Sequence, residues 1–141
     1  MSTFSMVVPR RPISANKGPN ENYKTALSEA ARFRRPTILD GPLYARILWF
    51  HKDKTNQDVD NIAKRILDSL KGVVFRDDLA VSHCLAVRID ARIEYELNGV
   101  PPSEQEEKML LELLGDDQTR NVLYIEIGPR TSSAASFGEV R

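Results

Sequence analysis

The sequence predicts an α+β fold, a mixed sheet of four to five strands covered by two or three helices. Three observations predict it. In residues 57–81, Val59, Ile62, Ala63, Ile66, Leu67 and Leu70 recur at i, i+3, i+4, i+7, i+8 and i+11, the spacing of one buried helical stripe. From Leu85 the chain alternates. Leu85, Val87, Ile89, Ala91, Ile93 and Tyr95 fall on one face, and Ala86, Arg88, Asp90, Arg92, Glu94 and Glu96 on the other, as in a half-exposed strand. Residues 42–51, Pro-Leu-Tyr-Ala-Arg-Ile-Leu-Trp-Phe-His, are aromatic and apolar on both faces, which suits an interior strand with Trp49 and Phe50 in the core.

The remaining elements follow in order. Thr3 to Val8 reads as a short strand, stopped by Pro9. Residues 10–20 form a loop of turn formers and cations. Asn22 to Arg34 reads as a helix with Tyr23, Leu27, Ala30, Ala31 and Phe33 on its apolar side. Arg32, Arg34 and Arg35 at its end complement the helix dipole and could also meet phosphates, and Pro36 blocks continuation. Lys52 to Gln57 is a charged connection into the second helix. His51, beside it, reads as structural rather than as a ligand. Gly72 suits the left-handed cap of the second helix, and Val73–Phe75 could add a short strand. Residues 98–102, Asn-Gly-Val-Pro-Pro, break the alternating strand.

Ser103 and Glu106 form a capping box for a third helix, with Met109, Leu110, Leu113 and Leu114 as its apolar face. Its acidic outer face makes DNA contact unexpected; it would cover the sheet or serve a dimer interface. Asn121 to Ile127 is the last strand. One domain is expected over residues 1–128, and the Ser/Ala-rich stretch 129–141 reads as a disordered tail.

Bulk properties narrow the class. A 41% hydrophobic content over 141 residues can build a core. No apolar run approaches the roughly 20 residues of a membrane helix. No basic region precedes an apolar core at the N-terminus, so no signal peptide is expected. The single Cys84 excludes an intrachain disulfide, fits a reducing, cytoplasmic setting, and reads as a small buried residue. Zero net charge hides a polarity. Residues 1–54 hold ten Lys/Arg against four acids, and residues 79–141 hold six against eleven. A basic half can bind a polyanion, although charge alone equally describes solvated faces.

The chemistry concentrates around the second helix. Asp58 and Asp60 stand at its start, and Asp77 and Asp78 lie in the turn after it, four acids within 21 positions. Each has a structural explanation: aspartate is favoured at helix N-termini and in turns. Taken together, gathered carboxylates repel one another, and a divalent cation removes that conflict. Oxygen donors suit Mg²⁺, with Mn²⁺ as substitute, and such a site can activate water against a phosphate. Lys64 lies one turn beyond Asp60, where it could stabilise developing charge or pair with Asp60 or Asp68. The residues alone leave the metal site and the structural reading side by side.

The run from Asp58 to Val81, Asp-Val-Asp-Asn-Ile-Ala-Lys-Arg-Ile-Leu-Asp-Ser-Leu-Lys-Gly-Val-Val-Phe-Arg-Asp-Asp-Leu-Ala-Val, resembles the signature of the RusA family of Holliday junction resolvases. That signature is Asp-x-Asp-Asn, a Lys three residues on, an Asp-x-Leu, and an Asp-Asp after a short apolar stretch. The opening strand and its Pro-Ile-Ser-Ala-Asn loop are also similar to the family's. The resemblance implies a RusA-like fold and a homodimeric, Mg²⁺-dependent endonuclease that cuts four-way DNA junctions in recombination and repair. It implies metal ligation by Asp58, Asp60 and Asp78, catalysis by these acids with Lys64, and supporting positions at Asn61 and Asp77.

Arg10, Arg11, Ser14, Asn16, Lys17, Lys52 and Lys54 would hold the DNA backbone, joined by Arg32, Arg34 and Arg35. The linker Lys-Asp-Lys-Thr-Asn-Gln departs from an Arg run in relatives, and the helix at 103–114 looks like an insertion. The competing readings are a non-cleaving branched-DNA binding module on the same fold, and a Mg²⁺ enzyme acting on small phosphorylated substrates.

Overall fold

The computed structural model describes residues 3–13, 21–55, 57–131, 135, 137 and 138; Ser14, Asn16, Lys17, much of the tail and the side chain of Asp78 lie outside this description. Among the described residues four strands form one sheet: β1 (Phe4–Val8), β2 (Leu43–His51), β3 (Val81–Asp90) and β4 (Asn121–Pro129), in the spatial order β1-β4-β2-β3. β4 runs antiparallel to both β1 and β2, whereas β3 is parallel to β2. The described residues also form three α-helices: α1 (Glu21–Phe33), α2 (Val59–Leu70) and α3 (Glu104–Leu114). The expected mixed α+β architecture is therefore present.

One sheet face packs on α1 and α2. Met6, Ala45, Ile47, Trp49, Leu123 and Ile125 meet Leu27, Ala31, Ile62, Ile66 and Leu70, all at most 1% exposed. Ser28 Oγ donates to the Ser69 carbonyl at 2.7 Å and joins the two helices. On the other face Val7, Phe50, Val122 and Tyr124 meet Leu110 of α3, so α3 covers part of the sheet. Beside α3 this face holds an open groove of about 690 Å³ lined by Tyr44, Leu48, Val87, Val100 and Leu111. There the Glu126 carboxylate accepts hydrogen bonds from both Tyr44 and Tyr124.

Several expectations need correction. The alternating strand starts at Val81, earlier than Leu85, and ends at Asp90, well before Tyr95. It ends where its one partner ends, since Asp90 pairs with His51. Asp90 Oδ1 then accepts from the Arg92 backbone N–H at 3.0 Å, which turns the chain. No strand forms at Val73–Phe75; Phe75 makes only isolated bridges to Leu39 and Lys71. Phe33 is 84% exposed, because it lies off the stripe set by Tyr23, Leu27 and Ala31, and Ser28 takes the buried place. Cys84 is exposed on β3 rather than buried. Pro129 belongs to β4 and not to a disordered tail.

Arg34 is the largest reassignment. It does not face solvent but enters an ion pair with Glu106 of α3 at 3.0 Å, with side chains 18% and 8% exposed. Its guanidinium also donates to the Ala30 and Val7 carbonyls. Glu106 Oε1 accepts from the Val7 N–H at 2.9 Å. β1 is a sheet edge, and these two side chains bind the N–H and carbonyl of Val7 as a further strand would. The capping box is therefore half used. Ser103 Oγ accepts from the Glu106 N–H at 3.3 Å, while the Glu106 carboxylate is committed to Arg34 and Val7.

Candidate active site

α2 links the parallel pair β2 and β3 and carries the first two acids at its start. Asp58 is its N-cap, with φ −75° and ψ 134°, and its carbonyl accepts from the Ile62 N–H at 3.3 Å. Its carboxylate makes no capping hydrogen bond. An N-cap aspartate normally spends its side chain on the first-turn amides; this one leaves it free. Asp60, in the first turn, is exposed, and Asn61 beside it is half-buried. Arg88 of β3 donates to the Gln57 carbonyl at 2.8 Å, so the residue before Asp58 is tied to the sheet.

Lys64 is exposed one turn on. Among the described residues no ion pair joins it to Asp60 or Asp68, so the expected Lys64–Asp68 pairing is not formed. Two carboxylates and one ammonium thus share a helix start without neutralising one another. The buried stripe of α2 explains why they stay there: Ile62, Ala63, Ile66 and Leu70 fix the helix rotation and leave the 60/64/68 line toward water.

The second acidic cluster sits on a braced turn. Past α2, Gly72 takes φ +83°, a conformation that glycine adopts without strain. Its N–H donates to the Phe75 carbonyl at 2.7 Å, and Val73, Val74 and Phe75 are buried. Asp77 Oδ1 accepts from the Leu79 N–H at 3.2 Å, and the Asp77 carbonyl accepts from the Ala80 N–H at 2.9 Å. Asp77 thus serves as the turn former. Asp78 opens the 3₁₀ turn Asp78–Ala80 that leads into β3.

α2 packs against β3, the strand that Asp78's turn begins. Partial desolvation first, and the Asp60 carboxylate second, push the Cys84 thiol up. Among the described residues no three His, Cys, Asp or Glu side chains come together as a metal site. Among the described residues Asp58 and Asp60 are hard oxygen donors free of other partners, and their chemistry fits a divalent cation. The third expected ligand, Asp78, has its side chain outside the described atoms.

Cations gather near the C-terminal end of β2. Arg10, Arg11 and Lys54 are exposed. Arg120 pairs with Asp53 at 2.9 Å, and with the nearby charges of Arg11 and Arg92 it holds the Asp53 carboxyl below the usual carboxylate range. Lys52 Nζ donates to the Asp116 carbonyl at 2.7 Å, so its ammonium is partly engaged. Arg88, Arg92 and Arg120 were not singled out in sequence. Arg120 lies in the acidic half, and its partner is 67 positions away, a relation that no local pattern carries. His51 is buried, with Nδ1 2.8 Å from the Asp53 carbonyl and its ring tilted against Trp49, as its structural reading expects.

A helix start with two free acids, a lysine on the same face and an acidic turn leading into the next strand define a candidate phosphodiesterase centre on an α+β sheet. The family profile of Endodeoxyribonuclease RusA matches residues 10–98, more than half of the chain and all of the acid-bracketed helix. The chain belongs to the RusA family and is an endodeoxyribonuclease of the Holliday junction resolvase type. That membership implies a branched DNA substrate and a divalent metal. Nothing matches the chain among curated proteins. The matched segment stops before β4, which stands between β1 and β2 and completes the sheet. No helix of the described residues is long and apolar enough to cross a membrane.

Proposed function

We propose that this endonuclease resolves four-way DNA junctions in recombination and repair by Mg²⁺-dependent hydrolysis, with Asp58, Asp60 and Asp78 as ligands. The observation that carries the reading is the Asp58 carboxylate, which stands at a helix N-cap and caps nothing. A residue whose ordinary role is unfilled, two positions from a second free acid, is available to a cation. Mg²⁺ fits an all-carboxylate site that leaves room for water and phosphate oxygens, and Mn²⁺ would substitute. When bound, the ion lowers the pKa of water and polarises the scissile phosphate.

The chain's own residues do the rest. Asp58 and Asp60 place the site at the start of a rigid, buried-stripe helix. Arg88 holds the backbone just before Asp58. Lys64, unpaired on the same face, approaches the phosphate and offsets its developing charge. Asn61 and Asp77 support the two acidic segments. Arg10, Arg11, Ser14, Asn16, Lys17, Lys52 and Lys54 hold the DNA backbone, and Arg32 and Arg35 add further phosphate contacts. Phosphate contacts of this kind position the duplex without reading its sequence.

The same reading makes the chain through the end of β4 at Pro129, one residue past the expected boundary at 128, one nuclease domain in the cytoplasm; it is active as a homodimer, because a four-way junction presents two equivalent strands to cut. The outer edge of β3 supports it: among the described residues β3 pairs only with β2, and Leu85 on it is 45% exposed. Light scattering on the purified protein would give twice the 15.9 kDa chain mass.

The activity test uses a labelled four-way junction and a linear duplex of matched sequence in Mg²⁺. Paired, symmetric nicks confined to the junction are expected. Cleavage of both substrates at one rate would contradict junction selectivity, and binding without nicks in Mg²⁺ and Mn²⁺ would contradict the chemistry.

A further inference from the structure

Leu79 follows Asp78 in the 3₁₀ turn and is 87% exposed. A single exposed leucine is ordinary on a protein surface. Leu79 differs in how it is held and where. Its own N–H is bound by Asp77 Oδ1 at 3.2 Å, and the next N–H, of Ala80, by the Asp77 carbonyl at 2.9 Å. The turn is also wedged against the segment before β2. A Cβ on Gly41 would stand 2.7 Å from Ala80 Cα, so the two backbones touch with no room for a side chain. Arg76, just upstream, pairs with Asp40 at 3.0 Å, and β3 pairs with β2 directly downstream, Val81 opposite Leu43. Fixed at both ends and in the middle, the turn keeps the leucine out of the core.

Its position supplies the chemistry. Leu79 adjoins Asp78 in the chain, consecutive Cα atoms being about 3.8 Å apart, and a phosphate bound at Asp78, as the proposed function has it, would bring an adjoining nucleotide near this isobutyl group. The apolar surface a nucleic acid offers is the flat face of a base, and leucine is among the side chains that insert between base steps. Insertion requires unstacking, which is least costly where bases are already unpaired or splayed. The geometry points to Leu79 as an apolar wedge that enters beside the base next to the scissile phosphate and so selects unstacked, branched DNA over continuous duplex. The inference rests on the reading of Asp78 as part of the metal site, and names a specificity-determining residue for it.

The test places 2-aminopurine beside the mapped cleavage position of a four-way junction and follows its fluorescence on adding the full chain in Ca²⁺, which permits binding without turnover. The wild type is expected to raise the fluorescence, Leu79→Met to keep the rise, and Leu79→Ala to lose it. In Mg²⁺, Leu79→Ala should cut the junction about tenfold more slowly and lose preference over duplex, with an unchanged thermal melt. A rise in Leu79→Ala equal to that of the wild type overturns the wedge. So does a wild type that binds and cuts the junction with no rise, and the junction reading then still stands. A wild type that neither binds nor cuts the junction removes both.

Discussion

Asp58 shows what a single residue can and cannot reveal before a fold is in hand. Its type and its place before an apolar helical stripe are as typical of a cap as of a ligand. In the structure the backbone takes the cap geometry while the carboxylate makes no capping hydrogen bond, which leaves it available to a cation. Lys64 was open in the same way, and the lack of an ion pair to Asp60 or Asp68 now favours the catalytic reading. Lys64→Ala should slow junction cleavage by about 10² or more while leaving junction affinity within about twofold, measured by single-turnover kinetics and gel shift. Cys84 was not legible: its burial depends on which strand lies beside β3, and β3 is an edge.

Asp90 carries a pH prediction at the same scale. The Arg92 guanidinium, and then the Arg92 backbone N–H, hold the Asp90 carboxyl well below the usual carboxylate range. A depressed folded-state pKa stabilises the fold above the ordinary value of about 3.9 and loses that contribution as pH falls through the folded value. The pair is exposed, so its share in stability is small. Carbon-detected NMR should find Asp90 still ionised near pH 3.9, and Arg92→Ala should raise its pKa toward the ordinary range without restoring it, because the backbone N–H of residue 92 still donates to the carboxylate.

Elements were legible where periodicity is local. α2 sits within two residues of its apolar stripe, and β2 within one of its aromatic run. The ends of β3 were not, since they are set by the length of its partner and by the Asp90 turn rather than by its own alternation. Arg34 and Glu106 were misassigned for the same kind of reason. One was read as a phosphate contact and the other as a capping residue, because each makes sense within its own helix. Their pairing spans 72 positions and exists to satisfy the edge of β1.

Breaking a buried pair leaves a charge without its partner, so Glu106→Ala should cost about 3 kcal/mol in urea unfolding. If Arg34 were instead a DNA contact, Arg34→Ala would lower the salt dependence of junction binding; it should leave that slope unchanged and destabilise the fold. Truncating the centre of α2, Ile66→Ala, should cost about 2–5 kcal/mol, because Ile66 is fully buried between α1 and the sheet.

At the scale of the whole molecule, net zero charge conceals a division that the fold turns into surfaces. The acidic third helix lies on the sheet face opposite α1 and α2, while Asp58, Asp60, Lys54 and Lys64 belong to α2 and the segment leading into it, and exposed Arg10 and Arg11 to the segment after β1. Affinity for junctions should fall steeply with salt, and Arg10→Ala with Arg11→Ala should lower the slope of log K against log salt by about two. The family and the acid-bracketed helix were legible in the chain because one helix and one turn hold the whole signature. The cation cluster at Arg92 and Arg120 was not, because it is assembled from three distant segments.

The central claim is that the free carboxylates at the start of α2 hold the ion that cuts DNA. It is tested most directly by Asp60→Asn, assayed for single-turnover cleavage of a four-way junction in Mg²⁺ and for junction affinity by gel shift. The account predicts cleavage reduced by about 10³ or more with affinity within about twofold of wild type. Cleavage at the wild-type rate would contradict it.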